Sequence, residues 1–451
     1  MNFNSISFIF IFIPACLLIF YLASPRLRLP VLFLFSMVFY GASGISPGLL
    51  LFISIVIGYF GARLCQPSRN VGRLFLAISF PLLALFVSKY LGFSLTTVGV
   101  ELQPGAFLDV IVRLSLPAGI SFYTFQLVAY MIDIRDGKIE RENNFIQFGT
   151  FIALFPQLIA GPILRYTEIR SQLRRIASEQ DLRPDLMSGI KYCAFGLAYK
   201  IFFSDILVTM QVVYTNSEGA PSIDALYSVL AYSAIIYFDF WAYSLIAMGL
   251  AKLFTLDLPR NFREPYRSLS PREFWKRWHI TLSFWLRDYV YFKMGGKEKY
   301  IRNIIVIFGL VGLWHGAGWN FILWGFYHAF WVLLYHFCKR WWDPLPLLFQ
   351  IILTFVIVSL GWPLFYLDMN GYVQLLINLF SFTGAEGGSV YGLLDWAYLG
   401  VTLGWIFLVK EDFILFNNKR NFFDNPIFLA CLLVGAIIFL SFARTFIYFQ
   451  F

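Results

Sequence analysis

The chain has 451 residues, of which 59% are hydrophobic and only 14% are charged, and its mean hydropathy is +0.69. These values exclude an ordinary soluble domain and are typical of a polytopic membrane protein. The 35 Lys and Arg exceed the 26 Asp and Glu; in a membrane chain this surplus indicates basic cytoplasmic loops and not nucleic-acid binding. At roughly 20 apolar residues per span, the length accommodates about ten to twelve transmembrane helices.

Apolar segments follow one another along the chain and predict its membrane helices. The first run lacks a basic leader, so we expect a retained helix and not a signal peptide. Prolines in the early segments predict kinks, because neighbouring helices can satisfy the carbonyl groups that proline leaves free. The predicted segments lie near residues 6–23, 30–43, 48–64, 74–95, 114–132, 145–163, 189–214, 222–254, 302–314, 321–338, 346–367, 392–410 and 427–448.

Two of these segments contain glycine and proline where a helix would be interrupted. Pro117-Ala-Gly119 comes early in the fifth segment, and Ala160-Gly161-Pro162 comes late in the sixth. Non-helical backbone at membrane depth is tolerated only where it is buried in protein or lines a cavity. We therefore expect broken or re-entrant elements in both places.

Two arginine-rich stretches separate the apolar segments. In residues 165–188, Ile169, Leu173 and Ile176 recur at helical spacing among the arginines, which predicts an amphipathic helix at the membrane interface. An ordinary solvated loop is the alternative. The second stretch, residues 255–277, is the most basic connection of the chain. By the positive-inside rule, we expect residues 165–191 and 255–277 to face the cytoplasm.

Three of the four histidines lie within residues 271–328. Because an ionisable side chain in a membrane segment is energetically costly, each of them is a functional-site hypothesis. A continuous helix through His279 would place Ser283 near the same face and Asp288 on the opposite face. We therefore expect Asp288 to pair with a cation such as Arg287 and not to orient His279.

His315 lies in the sequence Gly312-Leu-Trp-His-Gly-Ala-Gly-Trp-Asn320. The glycines that follow the imidazole weaken the helix and permit a substrate to approach the backbone closely. Trp314 and Trp319 would make the site apolar and aromatic around one base. A histidine that only hydrogen-bonds a neighbouring helix is the alternative. Two further histidines are weaker candidates, His328 and the interfacial His336.

Several motifs of common enzyme classes are absent from the sequence, namely GxxxxGK[ST], GxGxxG, HExxH and CxxC. Nucleotide hydrolysis, dehydrogenation and zinc proteolysis therefore lack their usual signatures. The catalytic group that the sequence still offers is a histidine base inside a membrane. Such a base can deprotonate a hydroxyl that attacks an activated acyl group.

Seven blocks of the sequence, in this order, carry a resemblance to a known family: Leu116–Gln126, Phe155–Arg165, Pro259–Phe262, Glu273–His279, Trp285–Tyr289, Leu313–Gly316 and Phe446–Phe451. Together they resemble the membrane-bound O-acyltransferase (MBOAT) family, and within it the bacterial branch of the alginate O-acetylation membrane subunit. Seven ordered blocks are more specific than any single motif. The resemblance covers most of the chain from residue 30 onward.

The resemblance implies a function for both histidines. It implies that His315 is the family's invariant active-site histidine and that His279 is its second conserved histidine, both facing a central tunnel. It also implies a cytoplasmic acyl thioester, acetyl-CoA, as the donor. In relatives the acyl group crosses the inner membrane and reaches an extracytoplasmic glycan, often through a partner protein of the SGNH-hydrolase type.

Two departures from the alginate pattern leave the acceptor open. Phe240-Trp-Ala-Tyr-Ser-Leu245 lacks the terminal Asp of that branch and is closer to the branch that transfers D-alanine to teichoic acids. Phe292-Lys-Met-Gly-Gly296 lacks the proline usual at this position.

We therefore predict an all-α, polytopic integral membrane protein, a single MBOAT-type domain over residues 1–451 with its catalytic core in residues 114–338. It would be an O-acyltransferase of the bacterial inner membrane that moves an acetyl group to hydroxyls of an extracytoplasmic polysaccharide. His315 would act as general base, and His279 would position the acyl carbonyl or share the proton. No metal and no bound cofactor are expected. The residues expected to bind substrate are Trp278, Ser283, Trp314, Trp319 and Asn320.

Two other functions stay open from the sequence. The first is the same fold carrying D-alanine from a carrier protein, which would need a docking surface for an acidic partner. The second is a non-catalytic transporter of lipid-linked sugar or small polar substrates, in which the histidines would relay protons.

Overall fold

The computed structural model describes residues 3–65, 70–100, 104–105, 108, 112, 116–210, 220–381, 388–417, 421–442, 444 and 446. Within these residues all regular structure is helical, so the all-α prediction is confirmed. Of the predicted block Phe446–Phe451, all but Phe446 lies outside the described residues. The end of the predicted segment 189–214, from residue 211 onward, lies outside them as well.

Six helices of the described part are long and apolar enough to cross a membrane: Ile45–Cys65, Val71–Thr97, Leu186–Met210, Ser222–Leu253, Trp319–Trp342 and Leu347–Phe365. Three further apolar helices are shorter: Phe8–Leu22, Leu393–Leu408 and Pro426–Ser441. Their positions agree with the predicted segments. A total of about ten to twelve spans would therefore have to include helices shorter than a standard membrane span.

The described residues divide into two compact units. The first contains residues up to Cys193 together with Tyr243–Pro259, and the second contains Ala194–Ala242 and Arg260–Ile447. The first eight α-helices among the described residues are α1 (Ile13–Leu22), α2 (Pro25–Gly41), α3 (Ile45–Gly61), α4 (Val71–Leu85), α5 (Leu91–Thr97), α6 (Ile120–Arg135), α7 (Phe145–Ala153) and α8 (Tyr166–Ser178).

The first unit contains the two interrupted elements that the sequence predicts. Helix α6 begins only at Ile120, after a left-handed Gly119, and α7 ends at Ala153. Residues 154–164 are then irregular and all buried. A Cβ atom at Gly119 would overlap the carbonyl oxygen of Leu158, so only glycine permits the two segments to meet this closely. Broken helices in both segments are confirmed.

The arginine-rich stretch after these segments forms helix α8, so the loop alternative is wrong. Its residues Ile169, Leu173 and Ile176 are fully buried, while the arginines lie on the other side. A helix with one apolar stripe packs that stripe inward and leaves its polar face to solvent or headgroups. The cytoplasmic location of α8 stays a prediction.

The remaining α-helices, in chain order, are α9 (Leu186–Ala198), α10 (Ile206–Met210), α11 (Ser222–Leu253), α12 (Pro271–Arg277), α13 (Ile280–Leu286), α14 (Tyr300–His315), α15 (Trp319–Trp342), α16 (Leu347–Gly361), α17 (Met369–Phe380), α18 (Leu393–Leu408), α19 (Glu411–Leu415) and α20 (Pro426–Ile438). The apolar 18-residue stretch of α11 that is long enough to cross a membrane is entirely buried. A helix that is apolar on all sides is expected to be buried in this way.

Helices α14 and α15 form an antiparallel pair joined by Gly316-Ala-Gly318 and packed at backbone contact. A Cβ atom at Gly312 would overlap the carbonyl oxygen of Phe321, and one at Gly325 would overlap that of Phe308. Glycines at such positions let membrane helices approach more closely than larger residues permit. The pair fixes where the end of α14, and with it His315, lies relative to α15.

This packing predicts opposite effects for two glycines one turn apart on α14. Gly312→Ala should destabilise the protein by about 1–3 kcal/mol, because the added methyl group meets backbone that cannot rotate away. Gly309→Ala is the matched control, since its Cβ atom would make only ordinary contacts with the Phe326 ring; it should be neutral or stabilising by about 0.5–1 kcal/mol. Thermal unfolding of the purified proteins in detergent measures both effects. Equal melting temperatures for the two variants would contradict the backbone contact.

Candidate active site

His279 lies in a turn and not in a helix. Helix α12 ends at Arg277, Trp278 is extended, and α13 begins at Ile280. His279 itself adopts φ 44° and ψ 55°, the left-handed region. The prediction that His279 shares a helical face with Ser283 is therefore wrong. For a residue other than glycine, asparagine or aspartate this conformation costs about 1–2 kcal/mol, and such strain persists only where the surroundings enforce it.

Asn261 enforces this turn. Its backbone carbonyl accepts a hydrogen bond from the Ile280 N–H at 2.9 Å, and its side-chain oxygen accepts one from the Thr281 hydroxyl at 2.6 Å. A third bond runs from the Arg263 N–H to the Arg277 carbonyl at 3.0 Å. Asn261 is fully buried, so these bonds form away from water. The segment from the Pro-Arg-Asn-Phe block thus holds the turn of the His279 block.

The His279 ring lies among aromatic side chains. Its centroid is 4.8 Å from that of Phe240 and 5.5 Å from that of Trp314, and both rings are nearly perpendicular to it. His279 is 2% exposed and lies outside the spans identified above. Burial lowers the pKa of His279 to about 3, because the charged form loses its hydration. The ring is therefore neutral at physiological pH.

His315 is the last residue of α14, and its ring also contacts Trp314. Its ring centroid is 4.9 Å from Trp314, 5.0 Å from Trp324 and 5.2 Å from Phe365. It is 3% exposed. Trp314 therefore contacts both histidines, one on the turn before α13 and one on α14. A cavity shared by the two rings stays a prediction.

Beyond Trp324 lies His328, one turn further along α15. Its ring packs against Trp324 and Trp275, each at 4.8 Å, and against Tyr327 at 5.2 Å. His328 is 1% exposed. Neither ring nitrogen has a hydrogen-bond partner among the residues that the structure describes. An imidazole buried in this way is uncommon, because buried polar atoms almost always have partners.

A cavity of about 570 Å³ lies next to Trp275 in the second unit. Its apolar walls come from α13, α14 and α15 and include Leu286, Ile304, Ile307, Phe308, Val311 and Val332. Its basic lining consists of Arg272, Lys276, Arg287, Lys297 and His336. Arg287 pairs with Asp288 at 2.6 Å, as expected from the sequence. No ion pair joins Arg272, Lys276 or Lys297 to a described carboxylate, so these cations are available to an anion.

The predicted substrate-binding residues have different surroundings. Trp314 contacts both histidines, and the Ser283 hydroxyl lines the cavity while donating to the Trp275 carbonyl at 3.1 Å. Trp278 is buried against Phe262 and Trp362. Two others lie at the start of α15: Trp319 is 59% exposed, and Asn320 donates to the Leu364 carbonyl at 2.8 Å. Substrate contact stays a prediction for all five.

Sequence reasoning missed three residues of this site. Trp275 and Trp324 separate the cavity from His315, and Asn261 holds the His279 turn. The only sequence signal for Trp275 and Asn261 was that both lie within the family blocks. Nothing in the spacing of the residues indicated that α12 and α15 meet.

The sequence model of the membrane-bound O-acyltransferase family matches residues 139–367, about half of the chain, including both histidines and the cavity. The chain belongs to the MBOAT family. It is therefore a multi-pass membrane protein and an O-acyltransferase. The non-catalytic transporter that the sequence left open does not agree with this membership.

Curated relatives of this MBOAT protein include three kinds of transferase. A probable alginate O-acetylase of Pseudomonas aeruginosa is 34% identical over 447 residues, covering 95% of this chain and 83% of the relative. A peptidoglycan O-acetyltransferase of Helicobacter pylori is 31% identical over 407 residues, 80% of this chain and 76% of the relative. A teichoic acid D-alanyltransferase of Bacillus subtilis is 29% identical over 270 residues, 55% of this chain and 68% of the relative. The resemblance to the alginate branch is confirmed.

The burial of His279 in this turn predicts that the stability of the protein depends on pH. Because folding lowers the pKa of His279 from an ordinary 6.5 to about 3, the unfolded state binds the proton more tightly. The stabilising contribution is complete above about pH 6.5 and is lost as the pH falls toward 3. Asparagine tolerates the left-handed conformation and does not titrate. His279→Asn should therefore flatten the loss of melting temperature between pH 7 and pH 5.

The comparison variant is His279→Ala, which also removes the titrating group but keeps the backbone strain. It should melt below His279→Asn at pH 7 and show the same flattened slope. If both variants followed the pH slope of the wild type, His279 would not be the group responsible.

Proposed function

We propose that this protein transfers an acetyl group from cytoplasmic acetyl-CoA to a hydroxyl group on the extracytoplasmic side of the bacterial inner membrane. The acceptor is a polysaccharide, reached directly or through a periplasmic partner of the SGNH-hydrolase type. The observation that carries the proposal is the burial of His279 and His315 against one tryptophan, Trp314. A basic cavity lies two rings away from His315, beyond Trp324 and Trp275.

His315 acts as the general base in this proposal. It takes the proton of the attacking hydroxyl, and its aromatic surroundings keep water away from the thioester that would otherwise hydrolyse. His279 lies across Trp314 and is neutral at physiological pH, so it serves as a hydrogen-bonding group and not as a cation. This assignment agrees with its predicted role of orienting the acyl group or sharing the proton.

The basic cavity is the proposed binding site of the donor. The phosphates of CoA need cations, and the pantetheine arm needs a less polar channel; the cavity supplies Arg272, Lys276 and Lys297 on one side and aliphatic walls on the other. Arg272 and Lys276 belong to the stretch predicted to face the cytoplasm. Phosphate-binding side chains there would raise the local concentration of the anionic donor.

Two relatives favour acetyl over D-alanyl transfer. The alginate and peptidoglycan O-acetyltransferases align with 80% or more of this chain, and the D-alanyltransferase aligns with 55%. The local sequence Phe240-Trp-Ala-Tyr-Ser-Leu245 supports the D-alanyl alternative. Supplying purified protein with either acetyl-CoA or a D-alanyl carrier protein distinguishes them by which thioester is consumed.

The role of His315 predicts the effect of its removal. His315→Ala should reduce release of CoA from acetyl-CoA, in the presence of an acceptor or the partner protein, by about 10²- to 10⁴-fold, the usual contribution of a general base. The measurement uses purified proteins in liposomes with a thiol reagent that detects CoA. Wild-type and variant proteins should insert equally, because alanine is a good helix former. CoA release by the variant at the wild-type rate would contradict the role of His315.

The basic cavity predicts a separate effect on the donor. Lys276→Gln and Arg272→Gln should each raise the KM for acetyl-CoA about two- to fivefold with little change in kcat, since exposed charge pairs contribute up to about 1 kcal/mol. The effect should shrink at high salt. Lys339→Gln is the control, because this exposed lysine pairs with Asp343 and does not line the cavity. Equal KM values for all three variants would place the donor elsewhere.

A further inference from the structure

Three aromatic rings form a compact group between the basic cavity and His315. The ring centroids of Trp275, Trp324 and His328 are 4.8–5.5 Å apart in every pair, and each pair meets at 72–80°. We call these three residues the indole–imidazole cluster. Trp324 and His328 are at most 1% exposed, and Trp275 lines the cavity. The three rings come from two helices, α12 and α15.

The cluster contains hydrogen-bond donors that the protein does not use. The indole nitrogens of Trp275 and Trp324 and both nitrogens of His328 are buried, and none has a hydrogen-bond partner within the described part of the chain. Two other buried indoles have partners: Trp362 donates to the Tyr266 hydroxyl and Trp241 to Glu411. The Trp331 indole nitrogen, which lies outside the cluster, has none within the described residues. Because a neutral imidazole has one N–H group and one acceptor nitrogen, the cluster contains three unpaired N–H donors. Each unpaired buried donor costs about 1–3 kcal/mol.

The backbone of α16 lies close against His328 at Gly361, where a Cβ atom would come within 2.9 Å of His328 Nε2 and 3.0 Å of the Tyr327 ring. Trp275 lines the cavity at one end of the cluster, and Trp324 contacts the His315 ring at the other end. A carbonyl oxygen is an acceptor without a proton, which matches a group of N–H donors. The acyl thioester of the donor has one such oxygen at its reacting carbon.

We propose that the indole–imidazole cluster binds the carbonyl oxygen of the acyl group and stabilises the negative charge that forms on it during transfer. The proposal rests on the acyl transfer proposed above and adds the residues that hold the oxyanion. Preorganised N–H donors in a dry site are well suited to this charge, because they need no reorganisation when it develops.

The acceptor hydroxyl oxygen attacks the carbonyl carbon, and its proton moves to His315. The carbonyl electron pair moves onto the oxygen, where N–H groups of the cluster stabilise it. When the C=O bond re-forms, the C–S bond breaks, and sulfur keeps the electron pair and takes the proton from His315. The products are the ester and the free thiol of CoA.

The test replaces each indole by a ring without a donor. Trp324→Phe and Trp275→Phe should each lower kcat by about 10²-fold, the typical effect of losing one oxyanion donor, with a KM within a fewfold of wild type. Trp331→Phe is the matched control, because Trp331 lies on the same helix and packs on Tyr327 and Phe330. It should keep the wild-type kcat. An unchanged kcat in Trp324→Phe would overturn the proposal.

A spectroscopic readout separates hydrogen bonding from packing. In His315→Ala protein, which should bind acetyl-CoA without turning it over, the infrared band of a ¹³C-labelled acetyl carbonyl should lie below its position in free acetyl-CoA. Adding Trp324→Phe should shift it back toward the free position, and adding Trp331→Phe should not. The proposal is overturned if Trp324→Phe leaves the position of the band unchanged. It is also overturned if His315→Ala protein binds no donor while the wild-type protein is active. If the wild-type protein itself releases no CoA, the proposed acyl transfer is wrong, and the proposed role of the cluster is then wrong as well.

Discussion

The close packing of α14 against α15 is the constraint on which the second unit depends. The two helices touch backbone to backbone at Gly312 and Gly325, where any side chain would overlap a carbonyl oxygen. Lipid offers no hydrophobic force to pair helices, so their association relies on such close van der Waals contact. Because His315 ends α14 and Trp324 is next to Gly325, the same contact sets the imidazole against the indole. Small changes in helix separation would move His315 relative to every ring around it.

A second constraint acts on the backbone at His279. The left-handed turn points this side chain toward Phe240 and Trp314, whereas a continuous helix would have continued the direction of α12. The strain is offset by the hydrogen bonds that Asn261 accepts from Ile280 and Thr281, directly after the turn. Strained residues held in this way are concentrated at functional sites, where a fixed side-chain direction matters more than local stability.

Sequence reasoning was most successful where long apolar segments decide the structure. Hydropathy located the helices, including Trp319–Trp342 and Leu347–Phe365, because the bilayer imposes both length and composition. Glycine and proline located the interrupted segments around Gly119 and residues 154–164 for a similarly local reason. The turn at His279 was missed, since Trp-Lys-Arg-Trp-His has no breaker residue and its left-handed conformation comes from Asn261, eighteen residues earlier. The indole–imidazole cluster was missed because contacts between α12 and α15 leave no periodic signal in either helix.

Two buried polar groups of the second unit show how a structural site differs from one that can bind a ligand. Lys200 donates to Asp205 at 2.7 Å and to Asp239 at 2.6 Å, and Asp205 also accepts the Arg444 N–H. Removing one member would leave an uncompensated buried charge. Two of the three ammonium N–H groups of Lys200 are already committed to carboxylates. In the indole–imidazole cluster the opposite holds, because its nitrogens are desolvated on folding without gaining an acceptor within the described residues. The free energy lost there on folding is recovered only when a ligand supplies an acceptor. A negatively charged oxygen accepts hydrogen bonds more strongly than an uncharged carbonyl oxygen. Such a cluster therefore stabilises the charged, transient state of a substrate more than its ground state.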